Sequence, residues 1–244
     1  MKKSFCVIGD IHGRNDWEEI AITALTKFQH VIFVGDYLDS FDIKASNILY
    51  NFNEIIEFKK ANFDKVTLLI GNHDFSYYMD EIGISGFNHN MWPAYKKILK
   101  DNIDLFDVAY GYENWKTKKY TLFSHAGLTY GYYKNVILPR LDGTLDNSGS
   151  FAGADINTPL HQILNRMKFD RLLWKVGSAR GGSGTPGPLW ADYSELLEDP
   201  YPMINQVFGH TASGTVNVNQ FDDCLIAKVD GWYNKKLAHL VLNI

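Results

Sequence analysis

At 244 residues, 45% of them apolar and 21% charged, the chain is long enough for one sizeable domain and is balanced like a globular protein, not a disordered or fibrous one. Its formal net charge of −4 supplies no global basic field, which argues against long nucleic acid as a partner. Two cysteines, Cys6 and Cys224, lie inside apolar runs and read as reduced core thiols; a bridge between them would need their strands to be neighbours.

In chain order, five apolar, β-branched or aromatic-rich runs each stop at a small residue and give way to metal-ligand residue types. Ser4–Ile8 leads into Gly9-Asp10-Ile11-His12-Gly13, and His30–Val34 into Gly35-Asp36-Tyr37-Leu38-Asp39. Val66–Ile70 leads into Gly71-Asn72-His73-Asp74, Tyr120–Phe123 into Ser124-His125-Ala126-Gly127, and Asn205–Phe208 into Gly209-His210-Thr211. Short apolar runs bounded by glycine read as strands buried on both faces. Helical spacing fills the intervals Asn15–Phe28, Ile43–Lys60 and His89–Asp101, the last starting near Pro93. Strand alternating with helix predicts an α/β fold, in which sites gather beyond the carboxyl ends of the strands.

Between Asp142 and Pro188 the chain is rich in Gly, Ser, Thr, Asn and Pro and reads as loops carried by the scaffold. Beyond Gln206, short strands are expected at Thr215–Val218, Cys224–Val229 and Leu237–Leu242, with turns at Asp222-Asp223 and Asp230-Gly231. This ending predicts an antiparallel ribbon joined to the second half of a sheet. No linker is visible, so a single domain over 1–244 is expected. No apolar stretch approaches 18 residues, and Lys2-Lys3 resembles a signal n-region for only two residues. The expected location is cytoplasmic, without a membrane span.

A single His or Asp after a strand is usually a structural residue, a turn or a cap. Six such groups from five strand ends form a different kind of pattern. Asp10, His12, Asp36, Asn72, His125 and His210 offer oxygen and imidazole without thiolate, a donor set for Mn, Fe or Zn. They are too many for one ion with an open position and fit two ions sharing a carboxylate.

Taken together and in this order, the five motifs resemble the calcineurin-like metallophosphoesterases, above all the branch of the serine/threonine phosphoprotein phosphatases and their small phage and bacterial relatives. The resemblance implies a four-layer αββα sandwich of two mixed β-sheets flanked by helices. It implies that Asp10 and His12 hold a first metal, that Asp36 bridges two, and that Asn72, His125 and His210 complete the second. His73 then faces the leaving group as general acid, with Asp39 orienting its imidazole. An alkoxide leaving group needs a proton, and an imidazole held by a carboxylate can keep one near neutral pH.

The implied activity is hydrolysis of a phosphate monoester by in-line attack of a metal-bridging hydroxide. It requires two divalent ions, Mn first and Fe, Zn or Ni as alternatives, and a phosphorylated protein, nucleotide or small molecule as substrate. Neither cysteine precedes the Gly-rich loop and Arg that a cysteine phosphatase needs. Hydrolysis of diadenosine polyphosphates and phosphodiester cleavage are the neighbouring readings, and a catalytically silent metal-binding scaffold is the non-enzyme alternative. The phosphoprotein phosphatases usually carry Asp-Arg-Gly after the second aspartate, whereas Asp39-Ser40-Phe41 stands here. They usually read Gly-Asn-His-Glu, and Asp74 replaces that Glu. Arg180, in the Gly-rich loop before Gly187-Pro188-Leu189-Trp190, and Arg14 are the candidate substitute phosphate contacts beside Asn72. A solvent-facing loop Arg is the plain alternative for Arg180, and a helix start the one for Arg14. Tyr77, Tyr78 and Trp92 are candidates for a cleft wall, with packing residues as the commoner role for aromatics. His89 and His161 read as structural or exposed.

Overall fold

The computed structural model describes residues 3–80, 83–145, 148–221, 223–233 and 236–244. The chain forms two compact units. The first comprises Met1–Asp107, Ala212–Val216 and Val229–Ile244, the second Val108–Thr211 and Asn217–Lys228.

In the first unit, β1 (Ser4–Ile8), α1 (Trp17–Lys27), β2 (His30–Phe33), α2 (Ala45–Ala61), β3 (Val66–Leu69), α3 (Asn72–Met79), α4 (Trp92–Asn102) and β4 (Phe106–Asp107) follow one another. Strands β1 to β4 are parallel neighbours in sequence order. They read as continuous apolar runs because helices cover the sheet, and α1 packs on β1 and β2 and α2 on β3. Trp17 meets Phe33 and Phe58 edge-on at 5.7 and 5.4 Å, and Tyr37 stacks on Phe52 at 5.3 Å. Burying each of these rings stabilises the unit by about 1.5–3 kcal/mol. Pro93 sits in the first turn of α4, where its missing N–H has no helical acceptor to lose.

The second unit holds β5 (Ala109–Glu113), β6 (Tyr120–Ser124), α5 (Tyr130–Tyr132), α6 (Leu138–Leu141), α7 (Leu160–Arg166), α8 (Tyr193–Glu198), β7 (Asn205–Phe208), β8 (Asn217–Phe221) and β9 (Cys224–Lys228). Its sheet runs β5-β6-β7-β9-β8, with β6, β7 and β9 parallel and the two outer strands antiparallel. Back in the first unit come β10 (Trp232–Tyr233), β11 (Lys236–Leu237) and β12 (His239–Asn243), the last lying antiparallel beside β1. The fold is thus α/β with two mixed five-stranded sheets and flanking helices, the class that the motifs imply.

Three details differ from the pattern. The terminal strands do not form one ribbon: β8 and β9 belong to the second sheet, while β12 closes the free edge of β1 in the first. Alternation of buried and exposed residues marks a strand without naming the strand it pairs with. Within the Gly- and Ser-rich stretch, α7 forms and packs against β5, so that region is not all loop. The expected strand 215–218 is shifted to Asn217–Phe221, and of the expected turn Asp222-Asp223 only Asp223 lies within the described residues. Cys6 and Cys224 are free thiols on strands of different sheets.

His30, at the start of β2, has its Nε2 2.9 Å from Thr67 Oγ1 on β3. Burial, with the charges of Lys3 and Lys59 adding to it, lowers its pKa to about 4 from the ordinary 6.5. The folded state therefore resists protonation that the unfolded chain accepts. The stability from this site is complete above about pH 6.5 and is lost as pH falls toward 4, a span of about 3 kcal/mol. Between pH 7.5 and 5, His30→Gln should gain about 2 kcal/mol relative to the wild type. Urea denaturation of both proteins at the two pH values measures this; parallel losses would exclude His30 as the source.

Candidate metal centre

Each motif residue of the first unit owes its place to a strand end. Asp10 lies two residues past β1 and is buried, and His12 follows in the same loop. Asp36 and Asp39 lie in the loop after β2, and Asn72 and His73 open α3, Asn72 three residues past β3. Because β1, β2 and β3 are parallel neighbours, these loops leave the same edge of the sheet. Backbone bonds tie the first two loops together: Ile11 N–H and His12 N–H donate to Asp36 O at 3.1 and 2.7 Å, and Gly13 N–H to Tyr37 O at 3.1 Å.

Asp36 is 2% exposed. Its Oδ1 accepts the His73 N–H at 2.9 Å from the first turn of α3, and its Oδ2 lies 3.8 Å from His12 Nε2. Free N–H groups and the helix dipole both favour a carboxylate there. Gly71 makes the approach possible, since a β-carbon at that position would run into the Asp36 carboxylate. Asp74, also fully buried, braces the same loops: Oδ1 accepts from Tyr37 and Leu38 N–H at 3.0 and 3.2 Å, and Oδ2 from Gly71 N–H at 3.0 Å. Burial, and then the Asp36 charge, pushes the Asp74 carboxyl well above the ordinary range against the pull of those N–H groups.

The two imidazoles of this unit differ. His12 Nδ1 lies 3.1 Å from both Leu38 O and Asp39 O, acceptors that place its proton on Nδ1 and leave the Nε2 lone pair facing Asp36. Burial lowers its pKa by more than Asp36 raises it, so the ring is neutral, the form that binds metal. For His73, burial also pulls downward, but Asp36 and the hydrogen bond to Asp39 outweigh it and raise the pKa. His73 Nδ1 stands 2.9 Å from Asp39 Oδ2. The other Asp39 oxygen accepts from Tyr77 O–H, which itself accepts the Asn88 N–H at 2.6 Å. Tyr77 is wholly buried, so its hydroxyl fixes Asp39 and Asp39 fixes the imidazole.

His12, Asp36 and His73 each place one ligand atom within 4.8 Å of the others. A divalent ion fits the His12 and Asp36 members of this group: one bare imidazole nitrogen and a carboxylate already face each other at little more than the spacing two ligands keep on a shared ion. Backbone strain concentrates in the same place. Of the seven non-glycine residues with positive φ among those described, His12 (45°), Asp36 (50°), Asp39 (61°) and His210 (67°) are motif residues.

In the second unit, His125 follows β6 and His210 follows β7, and these strands are adjacent and parallel. His125 Nε2 and His210 Nδ1 come within 3.2 Å, a spacing that also suits two ligands of one ion. Gly209 N–H donates to His125 O at 2.7 Å, and the Trp190 ring stands edge-on to His210 at 5.6 Å. Arg180 is no free loop arginine: its Nε meets Asp192 Oδ2 at 2.9 Å and its Nη2 donates to Thr211 Oγ1 at 3.1 Å, one residue beyond His210. Arg14 pairs with Asp42 at 3.6 Å and lines a cavity of about 380 Å³ with His12, Asp39 and His73.

The remaining candidates fall outside the centre. Tyr78 and Trp92 pack on the first unit's core, and the Trp92 indole donates to Asp80 at 3.2 Å. His89 is exposed, and His161 Nδ1 lies 2.8 Å from Tyr120 Oη. Two residues whose part here the sequence does not show are Asp74, which stands there as a replaced Glu, and Tyr77, a cleft-wall candidate whose hydroxyl instead holds Asp39. The short side chain three residues past Gly71 was the available sign for Asp74. The hydroxyl contact of Tyr77 spans 38 residues and had no sequence sign.

The calcineurin-like phosphoesterase family model matches residues 3–214, and the chain belongs to that family. It is accordingly a metal-dependent phosphoesterase, a hydrolase acting on phosphorylated substrates. No curated protein matches its sequence. Among solved structures it is similar to a cold-active protein-tyrosine phosphatase of the psychrophile Shewanella sp., at 16% identity over 97% of this chain and 77% of that one, with a TM-score of 0.52. It is similar also to a second structure of a cold-active protein tyrosine phosphatase, at 16% identity over 99% and 74% of the two chains, with a TM-score of 0.55. At such identity the likeness concerns the fold alone. Among the described residues no helix is long and apolar enough to cross a membrane.

Gly71→Ala should displace Asp36, lowering stability by about 1–3 kcal/mol through overpacking and weakening metal uptake. Calorimetric titration of chelator-stripped protein with Mn²⁺ measures the second effect; wild-type affinity in the variant would show that the Asp36 position tolerates the added methyl.

Proposed function

We propose that the chain is a binuclear phosphomonoesterase and that its two units work as one metallophosphoesterase domain. The observation that carries this reading is the division of the first unit's imidazoles. His12 is held with a bare Nε2 toward Asp36, and His73 is held by Asp39 in the orientation of a proton donor. A silent scaffold has no need of the second arrangement. The family model, which spans both units, supports treating them together.

In this reading Asp10, His12 and Asp36 hold one divalent ion, and Asp36, Asn72, His125 and His210 the other, with Mn the expected metal. The two ions supply Lewis acidity toward the phosphoryl oxygens and an activated water nucleophile. His73 delivers a proton to the leaving oxygen, and Asp39 keeps its Nδ1 engaged so that Nε2 faces the substrate. Arg14, already on the wall of the cavity, neutralises phosphoryl charge, and Asn72 contributes an amide donor. Arg180, tied to Asp192 and Thr211, steadies the chain beside His210 and offers its remaining Nη1 to the phosphate. The substrate is a phosphorylated protein, nucleotide or small molecule, and the site of action cytoplasmic.

Chelator-stripped protein should regain hydrolysis of p-nitrophenyl phosphate with Mn²⁺ and act much less on bis(p-nitrophenyl) phosphate. Preference for the bis ester would turn the reading to a phosphodiesterase, and cleavage of neither with Mn, Ni, Zn or Fe would turn it to a scaffold. Asp36→Asn should lose both metal equivalents and all turnover.

His73→Ala should retain metal and lose about 10²–10⁴ in kcat on alkyl phosphates, with a smaller loss on p-nitrophenyl phosphate, whose leaving group hardly needs the proton. Tyr77→Phe, which frees one oxygen of Asp39, should show the same leaving-group dependence at lower amplitude. Equal losses on both substrates would remove this chain of residues from the acid role.

A further inference from the structure

The loop after Asp39 carries Ser40 and Phe41 where the phosphoprotein phosphatases usually carry an Arg. Phe41 is 88% exposed, more than any other large apolar side chain among the described residues. Elsewhere in this unit the large aromatics Phe5, Phe33, Tyr37, Phe52, Phe75 and Phe106 are wholly buried. Yet Phe41 does not stand on an indifferent surface. It lines the cavity of about 380 Å³ that also contains His12, Arg14, Asp39 and His73. Ser85 and Gly86 line the same cavity, and a β-carbon on Gly86 would lie 3.5 Å from Phe41 Cζ. The ring thus lies near Gly86 with no side chain between them, and most of its surface is open to whatever enters.

From this we infer that Phe41 is the platform for an aromatic leaving group, and that the site takes aryl phosphate monoesters in which the ring is bonded directly to the phosphate oxygen. The inference rests on the phosphomonoesterase reading above. The cavity, at the lower end of the ~300–1,000 Å³ range of small-ligand pockets, admits a phosphoryl group with a ring attached to it. Chemistry supports the inference, since covering an exposed phenyl face with another ring gains apolar burial and offset stacking together. Arg14 holds the dianionic end of the same molecule. A phosphotyrosyl side chain and a small phenyl phosphate share this chemistry.

The test compares wild type, Phe41→Ala and Phe41→Tyr, loaded with Mn²⁺. Hydrolysis of a phosphotyrosyl peptide, its phosphoseryl counterpart and phenyl phosphate is measured beside the affinities of two inert probes, phenylphosphonate and methylphosphonate. Phe41 is exposed, so its truncation leaves the core intact.

In the wild type, the aryl members of each pair should be favoured about tenfold, the advantage vanishing in Phe41→Ala and returning in Phe41→Tyr. An aryl advantage that persists in Phe41→Ala, or none in the wild type, overturns the platform even where monoester turnover is intact. An aryl advantage in probe binding that depends on Phe41, without turnover of any ester, keeps the platform and overturns the phosphomonoesterase reading. Phenyl phosphate favoured without the phosphotyrosyl peptide identifies the source as a small aryl phosphate.

Discussion

A carboxylate withdrawn from water gives up solvation worth several kcal/mol and keeps its charge only where N–H donors or cations replace the lost water. The first unit buries Asp10, Asp36 and Asp74 at the polar edge of one sheet, and the rest of the site follows from accommodating them. Asp74 receives three backbone N–H groups, which offset only part of the effect of its burial, and Asp36 receives the N–H of His73 at the head of a helix. Those bonds fix the loops after β2 and β3 relative to one another. Gly71 is the residue that lets the helix and the Asp36 carboxylate come so close.

With Asp36 fixed, the proton affinities of the two neighbouring histidines are pushed in opposite directions. His12 spends its Nδ1 proton on two carbonyl groups and stays neutral, whereas His73 leans on Asp39 and keeps a raised pKa. Environment thus sets the proton affinities of two identical side chains apart. Left-handed backbone at His12, Asp36 and Asp39 belongs to the same arrangement. Such conformations cost about 1–3 kcal/mol each and persist where surrounding bonds over-determine them. The bonds from Ile11, His12 and Gly13 to the Asp36 and Tyr37 carbonyls do that here.

The second unit solves a simpler problem. Adjacent parallel strands β6 and β7 end side by side, so the residues that follow them, His125 and His210, meet at the strand ends. The structure adds a support that polarity alone does not suggest. Burial would raise the Asp192 carboxyl, but its bonds with Ser194 and the Arg180 guanidinium hold it below the ordinary carboxylate range. The ionised Asp192 anchors Arg180, and Arg180 anchors Thr211.

The sequence alone determined the strands that end in Gly-Asp, Gly-Asn or Ser-His, the helices between them, and the donor residues that follow each strand. All of these depend on contacts within a few residues: apolar runs, helical spacing and the turn preferences of glycine. Tertiary structure decided the rest, because the deciding contacts join residues far apart in the chain. That β12 lies beside β1 instead of extending a terminal ribbon is set by which strand edge was left open. That Tyr77 is bonded to Asp39, Asp74 to Tyr37 and Arg180 to Asp192 depends on where whole elements pack. That Phe41 faces a cavity while Phe33, Phe52 and Phe106 are sealed depends on the path of one loop. Local physics chose the residues that could carry the chemistry, and packing chose which of them would touch.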